Sequence, residues 1–384
     1  MRHVFIIGSR GLPAKYGGFE TFVEELVTHQ QSKDVTYHVA CLSDSDHGTH
    51  FSYRGADCFT INPPQLGAAR VMAYDLMAVR YALKLVKTKG WERPIFYLLG
   101  NTIGGIMPLL ARQIWSVGGV FYINPDGLEW RRTKWPRPVR AYLKLAERFM
   151  CQTADLVIAD NIGIEDYIKQ AYPKAKTTCI AYGTTVEPTP LTPTDAQVRA
   201  YFDQHNLREK NYYLILGRFV PENNYETIIR EFMESRTQRD LVIICNQEGS
   251  AYFERLKQAT GFDRDSRIKF VGTVYDKPLV AYIRQQAFAY IHGHEVGGTN
   301  PSLLEALAQT DLNLVLDVSF NRTVAGQSSH YWTKQDGSLA GLIDDVDGQT
   351  DFTVLGQMAK GIIRDQYTWE KIVGEYEDLF LNEG

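Results

Sequence analysis

A carboxylate, Glu305, stands in the stretch Ile291-His-Gly-His-Glu-Val-Gly-Gly-Thr-Asn-Pro-Ser-Leu-Leu-Glu-Ala-Leu-Ala308, which reads in succession as a strand end, a glycine turn and a helix start. That order makes a socket the size of a phosphate. Gly297 and Gly298 let the backbone turn tightly, and Pro301 with Ser302 suits a first helical turn. The N–H groups at the head of a helix have no intrahelical acceptor, so an anion can take them. Gly298, Thr299, Asn300, Ser302 and Leu303 are the residues such a socket would use, with Glu305 accepting hydrogen bonds from ribose hydroxyls. The plainer reading is an ordinary strand-to-helix turn with a solvated Glu305.

Two further strand ends carry glycine. The apolar Val4-Phe-Ile-Ile7 runs into Gly8-Ser-Arg-Gly-Leu-Pro-Ala-Lys-Tyr-Gly-Gly-Phe-Glu20, whose Gly17 and Gly18 allow a ligand close to the backbone. Tyr212-Tyr-Leu-Ile-Leu-Gly-Arg218 ends in a guanidinium at the carboxyl end of a strand, where open α/β sheets bind ligands. Glu222 follows closely; it can pair with Arg218, touch a transferred sugar or remain a solvated loop residue.

Three more residues suit a cleft. Asp126, in Asn124-Pro-Asp-Gly127 after an apolar strand, is a candidate acid/base or acceptor-binding residue, and an Asx turn is its structural alternative. Asp160 ends the strand Leu156-Val-Ile-Ala159, and Tyr182 ends the next; either can instead cap a neighbouring helix or turn. From Arg131 to Arg148, seven basic residues, Arg131, Arg132, Lys134, Arg137, Arg140, Lys144 and Arg148, stand against the single acidic Glu147. With Trp130 and Trp135 among them, this run suits an anionic membrane surface or a lipid diphosphate; a solvated helix face is the plainer account.

The phrases Gly8 to Glu25, Asn124 to Trp135, Gly217 to Glu226 and His292 to Ala308 together resemble the GT-B glycosyltransferases of the retaining GT4 group. More narrowly they resemble bacterial rhamnosyltransferases of cell-wall and capsule assembly, including the streptococcal β-1,4 type acting on lipid-linked N-acetylglucosamine. The resemblance implies an α/β GT-B fold, two Rossmann-like parallel-sheet domains facing a central cleft. It implies retaining transfer of L-rhamnose from dTDP-β-L-rhamnose to a lipid-diphosphate-linked N-acetylglucosamine, without a metal or other cofactor. Asp126, Glu222, Asp160 and Tyr182 would then be catalytic. Gly17, Gly18, Arg218, Glu295, Gly298, Thr299, Asn300, Ser302, Leu303 and Glu305 would hold the donor. Trp130, Arg131, Arg132, Trp135, Arg137, Arg140 and Lys144 would meet the acceptor and the inner face of the plasma membrane.

Two positions depart from the broad group. Gly297 stands where its first glutamate would be, with Glu295 out of register, and Asn223 stands where its phosphate-binding lysine would be. Contacts to the donor sugar would therefore be rearranged around His294, Glu295 or Thr299. Another GT-B hexosyltransferase and a GT-B nucleotide-sugar epimerase share the architecture. A nicotinamide oxidoreductase is disfavoured, because the opening loop lacks G-x-G-x-x-G.

The elements that must position these residues alternate. Strands are expected near 4–7, 36–41, 58–61, 95–99, 120–123, 156–159 and 178–181, then 213–216, 241–244, 268–271, 287–291 and 312–316, with helices between them. The proline-rich 186–195 reads as a linker, which gives an N-terminal domain of 1–187 and a C-terminal domain of 196–364. Residues 365–384 are expected to form a helix crossing back to the first domain.

With 384 residues, 44% of them apolar, and a formal charge of −4, the chain can build two cores and has no overall attraction for nucleic acid. No charge-free apolar stretch reaches membrane-spanning length and no leader is evident, so a cytoplasmic, peripheral protein is expected. Five scattered cysteines argue against disulfides or zinc. His292 and His294 read as hydrogen-bonding residues, and Asp44-Ser-Asp46 as a polar loop.

Overall fold

The computed structural model describes residues 1–15, 17–132 and 135–382, the side chain of Ala68 excepted. Two compact units appear: residues 1–183 with the final helix from 369, and residues 184–368.

The first unit runs β1 (Arg2–Ile7), α1 (Gly18–Thr28), β2 (Val35–Leu42), β3 (His50–Tyr53), β4 (Ala56–Ile61), α2 (Arg70–Lys89), β5 (Ile95–Leu99), α3 (Met107–Ser116), β6 (Val120–Asn124), α4 (Arg137–Thr153), β7 (Leu156–Ala159), α5 (Ile162–Ala171) and β8 (Thr177–Cys179). Its sheet order is β3-β4-β2-β1-β5-β6-β7-β8. Every residue of β5 is buried, the pattern of a strand covered on both faces. Only the β3–β4 pair is antiparallel among these strands. Its two-residue turn puts Arg54 at φ 48° and Gly55 at φ 89°, the double left-handed geometry that matches hairpin twist. β3 was not expected, because its four residues, His50 to Tyr53, are few and largely exposed and carry no run of apolar residues.

The second unit runs α6 (Ala196–Gln204), β9 (Tyr212–Leu216), α7 (Tyr225–Glu234), β10 (Asp240–Ile244), α8 (Ala251–Thr260), β11 (Ile268–Gly272), α9 (Lys277–Gln285), β12 (Ala289–His292), α10 (Pro301–Gln309), β13 (Asn313–Leu316), α11 (Ser319–Ala325), β14 (His330–Trp332), α12 (Ser338–Asp347) and α13 (Thr353–Gln366). Its six strands are ordered β11-β10-β9-β12-β13-β14, and each pair is parallel.

The order reverses between β1 and β5 in the first sheet and between β9 and β12 in the second. At such a reversal the two following loops diverge to opposite faces and leave a crevice at the carboxyl ends. The candidate residues after β1, β9 and β12 thus arise where the topology makes room.

The last helix, α14 (Trp369–Asn382), buries Trp369, Ile372, Val373, Tyr376 and Phe380 in the first unit. Its Glu377 carboxylate accepts from the N–H groups of Gln31 and Ser32, and Tyr97 and Tyr376 join hydroxyls at 3.1 Å. The helix expected over 365–384 begins only at Trp369, because α13 runs on to Gln366 and at Tyr367 and Thr368 the backbone pairs with Thr184 instead. Residues 186–195 fall within the second unit, and the crossing lies earlier, at 183 to 184.

Candidate functional site

At the second unit's reversal point, the loop after β9 and the loop after β12 are packed together by two glycines. A side chain at Gly217 would meet the His294 ring at 3.1 Å, and one at Gly293 would meet the Asn223 carbonyl at 2.4 Å. Asn224, at φ 56°, heads α7 and donates to the Gly293 carbonyl at 2.8 Å and to Glu295 at 3.1 Å. Lys334, just after β14, closes on the same Glu295 oxygen at 2.6 Å. Glu295 is therefore held by two donors from other elements. Asn223 is turned inward, its amide donating to the Arg218 carbonyl at 2.7 Å. Arg218 is exposed, and among the described residues its guanidinium has neither an ion-pair nor a hydrogen-bond partner. The pairing of Glu222 with Arg218 is accordingly not formed, although the Glu222 carbonyl accepts from the Glu295 N–H at 3.1 Å.

The head of α10 differs from the open socket read in the sequence. Asn300 is its N-cap, and its side chain accepts from the Ser302 N–H at 3.0 Å. Its carbonyl takes the N–H groups of Leu303 and Leu304, while Pro301 has none to give. Ser302 and Leu303 thus do not present free backbone donors. The Ser302 hydroxyl is also engaged, with the Leu216 carbonyl at 2.9 Å and the Tyr290 hydroxyl at 2.7 Å. It locks the first turn of α10 to the end of β9. Asn300 acts as a cap, and Thr299 is buried. Gly297, at φ 141°, makes the turn that the sequence shared with Gly298. Any anion here would draw on Arg218 and the 293–299 backbone rather than on α10.

Glu305 lies one turn into α10 and is 44% exposed on its side chain. One oxygen bonds Arg284, whose side chain, at the end of α9, is only 5% exposed. A buried guanidinium fixing one carboxylate oxygen aims the other. Arg284, Lys334 and Asn224 had no signal in one dimension, since they reach the site from α9, from beyond β14 and from a helix cap.

The first unit places Asp126, Asp160 and Tyr182 around Asn124 at the ends of β6, β7 and β8. Asn124 accepts from the Asp126 N–H at 3.0 Å, and Asp126 accepts from the Gly127 N–H at 2.7 Å. The Asx turn is thus formed, with Asp126 at φ 60° and Leu128 at φ 50°. Asp160 is not a helix cap; its neighbour Asn161 caps α5, accepting from Gly163 at 2.8 Å. Burial, then the nearby charge of Asp126, pushes the Asp160 carboxyl up to about 7. Tyr182 is a core residue beside Phe22, and burial raises its hydroxyl well above the usual phenol range. It can orient a neighbour but is ill suited to give up its proton.

Gly17, at φ 128°, precedes α1, which begins at Gly18, and a side chain there would strike Glu20. Glu20 takes the Arg10 N–H at 2.8 Å and closes the loop. Tyr16 lies outside the described residues.

Structure sorts the basic run into unlike parts. Trp130 and Trp135 are half-buried, not splayed out on the surface; Trp135 donates to Glu129 at 2.8 Å. Arg132 also pairs with Glu129, at 2.6 Å, and approaches Asp126 at 3.8 Å. Lys144 meets buried Glu147 at 3.0 Å, which also accepts from the hydroxyls of Tyr167 and Tyr172. Lys144 and Arg132 are thus internal ties rather than free cations. Arg131 and Arg137 are exposed, and Arg140 donates through Nε to the Trp130 carbonyl at 2.9 Å. Lys134 lies outside the described residues.

Among the described residues no group of three or more His, Cys, Asp or Glu is placed to hold a metal ion. His292 and His294 stack at 4.4 Å, and burial, then His294, lowers the His292 pKa well below its ordinary value. Asp44 pairs with Arg70, and the five cysteines are free thiols. No described helix is long and apolar enough to cross a membrane. A hollow of about 420 Å³ around Met233 and Arg264 to Arg267 precedes β11, away from the carboxyl edge, and its Arg267 is closed onto Asp265.

Solved structures share this fold. Sucrose-phosphate synthase from Thermosynechococcus elongatus matches with a TM-score of 0.77 at 16% identity, covering 100% of this chain and 99% of the other. The Anabaena protein HepE in complex with UDP matches at 0.72 and 14%, with full coverage of both. A glycosyltransferase from Rickettsia africae matches at 0.73 and 12%, covering 99% and 98%. The fold is GT-B. Residues 1–185 match the family model described as a domain of unknown function, DUF1972. An uncharacterized glycosyltransferase of Methanocaldococcus jannaschii is 23% identical over 252 residues, 62% of this chain, and the match spans 61% of that relative's length.

Proposed function

We propose that the chain is a retaining glycosyltransferase that moves L-rhamnose from dTDP-β-L-rhamnose to N-acetylglucosamine on a lipid diphosphate, at the inner face of the plasma membrane. The observation that carries the glycosyl-transfer reading is Arg218, an exposed guanidinium at the β9/β12 reversal point that has no partner among the described residues. HepE, of the same fold, has been solved with UDP and with UDP-glucose. The donor and acceptor sugars follow the sequence resemblance.

In this reading Arg218 makes paired hydrogen bonds to the leaving diphosphate and stabilises its growing charge. Glu305, aimed by Arg284, accepts from the ribose hydroxyls. Asp126 orients the acceptor hydroxyl, and buried Asp160 keeps that corner polar. The bond from the anomeric carbon to the diphosphate breaks as the bond to the acceptor oxygen forms. The hydroxyl proton passes to the leaving phosphate oxygen on the same face, so no protein nucleophile is needed.

The test is mass spectrometry of products from the purified protein with dTDP-rhamnose and, separately, UDP-glucose, with and without lipid-linked N-acetylglucosamine. A rhamnosylated lipid, still formed after EDTA treatment, is expected. Transfer from UDP-glucose alone overturns the donor, and isomerised sugar nucleotide without acceptor replaces transfer by epimerisation.

A further inference from the structure

Of the three residues around which contacts to a donor sugar could be rearranged, His294 and Thr299 are buried, and only Glu295 keeps a partly exposed side chain, at 29%. Its backbone is fixed on both sides. The Glu295 N–H donates to the Glu222 carbonyl at 3.1 Å, and the preceding His294 carbonyl accepts from Asn321 at 3.0 Å. The two carboxylate oxygens are used unequally: Asn224, at 3.1 Å, and Lys334, at 2.6 Å, both donate to Oε2. Among the described residues nothing donates to Oε1.

Both donors are set by one helix. Asn224 heads α7, and Glu231, buried in that helix, accepts from the N–H groups of Gly337, Leu339 and Ala340 at 2.9 to 3.0 Å. Those bonds pin the segment that carries Lys334, together with the Thr333 N–H on the Ser338 hydroxyl at 2.9 Å and the fully buried Trp332 of β14. The Lys334 side chain is itself 53% exposed, and an ion pair at that exposure adds little to stability. Its effect is to fix the direction of a carboxylate and to cancel its charge. The remaining oxygen offers lone pairs to hydrogen-bond donors. Sugar hydroxyls are such donors, whereas the ionised oxygens of a diphosphate are not.

We propose that Lys334 is a positioning residue for the sugar end of the donor: with Asn224 it holds Oε2 of Glu295, so that Oε1 accepts hydrogen bonds from hydroxyls of the sugar being transferred. The inference rests on the glycosyl-transfer reading and divides its donor site, with the diphosphate on Arg218, the ribose on Glu305 and the transferred sugar on Glu295. Lys334 does not stand in for the lysine that Asn223 replaces, because its charge is already matched by Glu295.

The experiment is calorimetric titration of the full chain with dTDP and dTDP-rhamnose, and with UDP and UDP-glucose. The quantity read is the affinity for each nucleotide sugar divided by that for its own nucleotide, which cancels any change in charge felt by the diphosphate. Lys334→Met should lower that ratio about fivefold or more, and Lys334→Arg, which keeps the ion pair, should retain most of it. Lys334→Met together with Glu295→Gln should lower it no further than the worse single variant, since both act through one carboxylate. An unchanged ratio in Lys334→Met overturns the proposal, and a loss shared equally by nucleotide and nucleotide sugar gives that result by putting Lys334 on the diphosphate. Full additivity in the double variant overturns it too, as does a wild type that binds nucleotide but neither nucleotide sugar. Absence of binding to either nucleotide in the wild type overturns the glycosyl-transfer reading itself.

Discussion

The two sheets end in edges of opposite character. The second unit's edge carries Arg218, exposed and without a partner among the described residues, whereas the first unit's edge carries Asp126 and Asp160, one bound into its own turn and the other buried. The same strand-and-helix plan thus leaves a cation in solvent at one edge and carboxyls turned inward at the other, which under the proposed function would meet an anion and a hydroxyl respectively. A cation in solvent keeps its charge at no cost until a ligand arrives. A buried carboxyl is pushed toward its neutral form and depends on its neighbours to stay charged.

If that division is right, Asp126→Asn should lower turnover by about 10²–10⁴-fold while leaving the affinity for UDP or dTDP unchanged. Steady-state kinetics beside calorimetry separates the two, and a parallel loss of both would erase the contrast between the edges.

The next largest effect belongs to pH. The Asp160 carboxyl, raised from 3.8 to about 7, binds its proton more tightly in the folded state. Its contribution to stability is therefore full at acid pH, falls as pH rises between those values, and is constant above them. Asp75, on the buried face of α2 and also raised to about 7, acts in the same direction. Asp160→Asn should remove part of the slope, on the order of 3 kcal/mol between pH 4 and 8 by the size of the shift. Urea unfolding at both pH values measures it; an unaltered slope would mean that Asp160 is charged in the fold and that the two edges are less unlike.

Arg218→Ala should weaken nucleotide binding by about 1.5–3 kcal/mol, the value of hydrogen bonds to a charged group. Arg218→Lys should recover only part of this, because a point charge lacks the two-pronged fit. Equal affinity in wild type and Arg218→Ala would remove the anion from this edge. The smallest effect is expected from Arg284→Met, about 1 kcal/mol on nucleotide affinity, matching that of Glu305→Gln. The double variant should lose no more than the worse single one, since both act through one carboxylate; full additivity would show that Arg284 does not position Glu305.

Asp126 and Arg218 were legible because each follows a buried apolar run and a turn residue, and a parallel strand's carboxyl end faces the crevice. Ser302 was misread for an instructive reason. Its place in the first helical turn was right, but the Leu216 carbonyl, from a strand distant in sequence, and the Tyr290 hydroxyl, from the strand just before, had already taken its hydroxyl. The basic run shows the same limit. Charge counts are additive in sequence, yet Lys144 and Arg132 are consumed by Glu147 and Glu129, and the tryptophans between them are half covered.

What the sequence determined by itself was the alternation of buried strands and amphipathic helices, the glycines at three strand ends and hence the class of fold. These depend on local period and backbone freedom, which neighbours in sequence decide. Only the tertiary structure decided which polar groups remain available. A donor or acceptor is spent as soon as any partner comes within hydrogen-bond reach. For Glu295, Glu305 and Lys144 those partners are Lys334, Arg284 and Tyr167, brought in by other elements of the packed sheets.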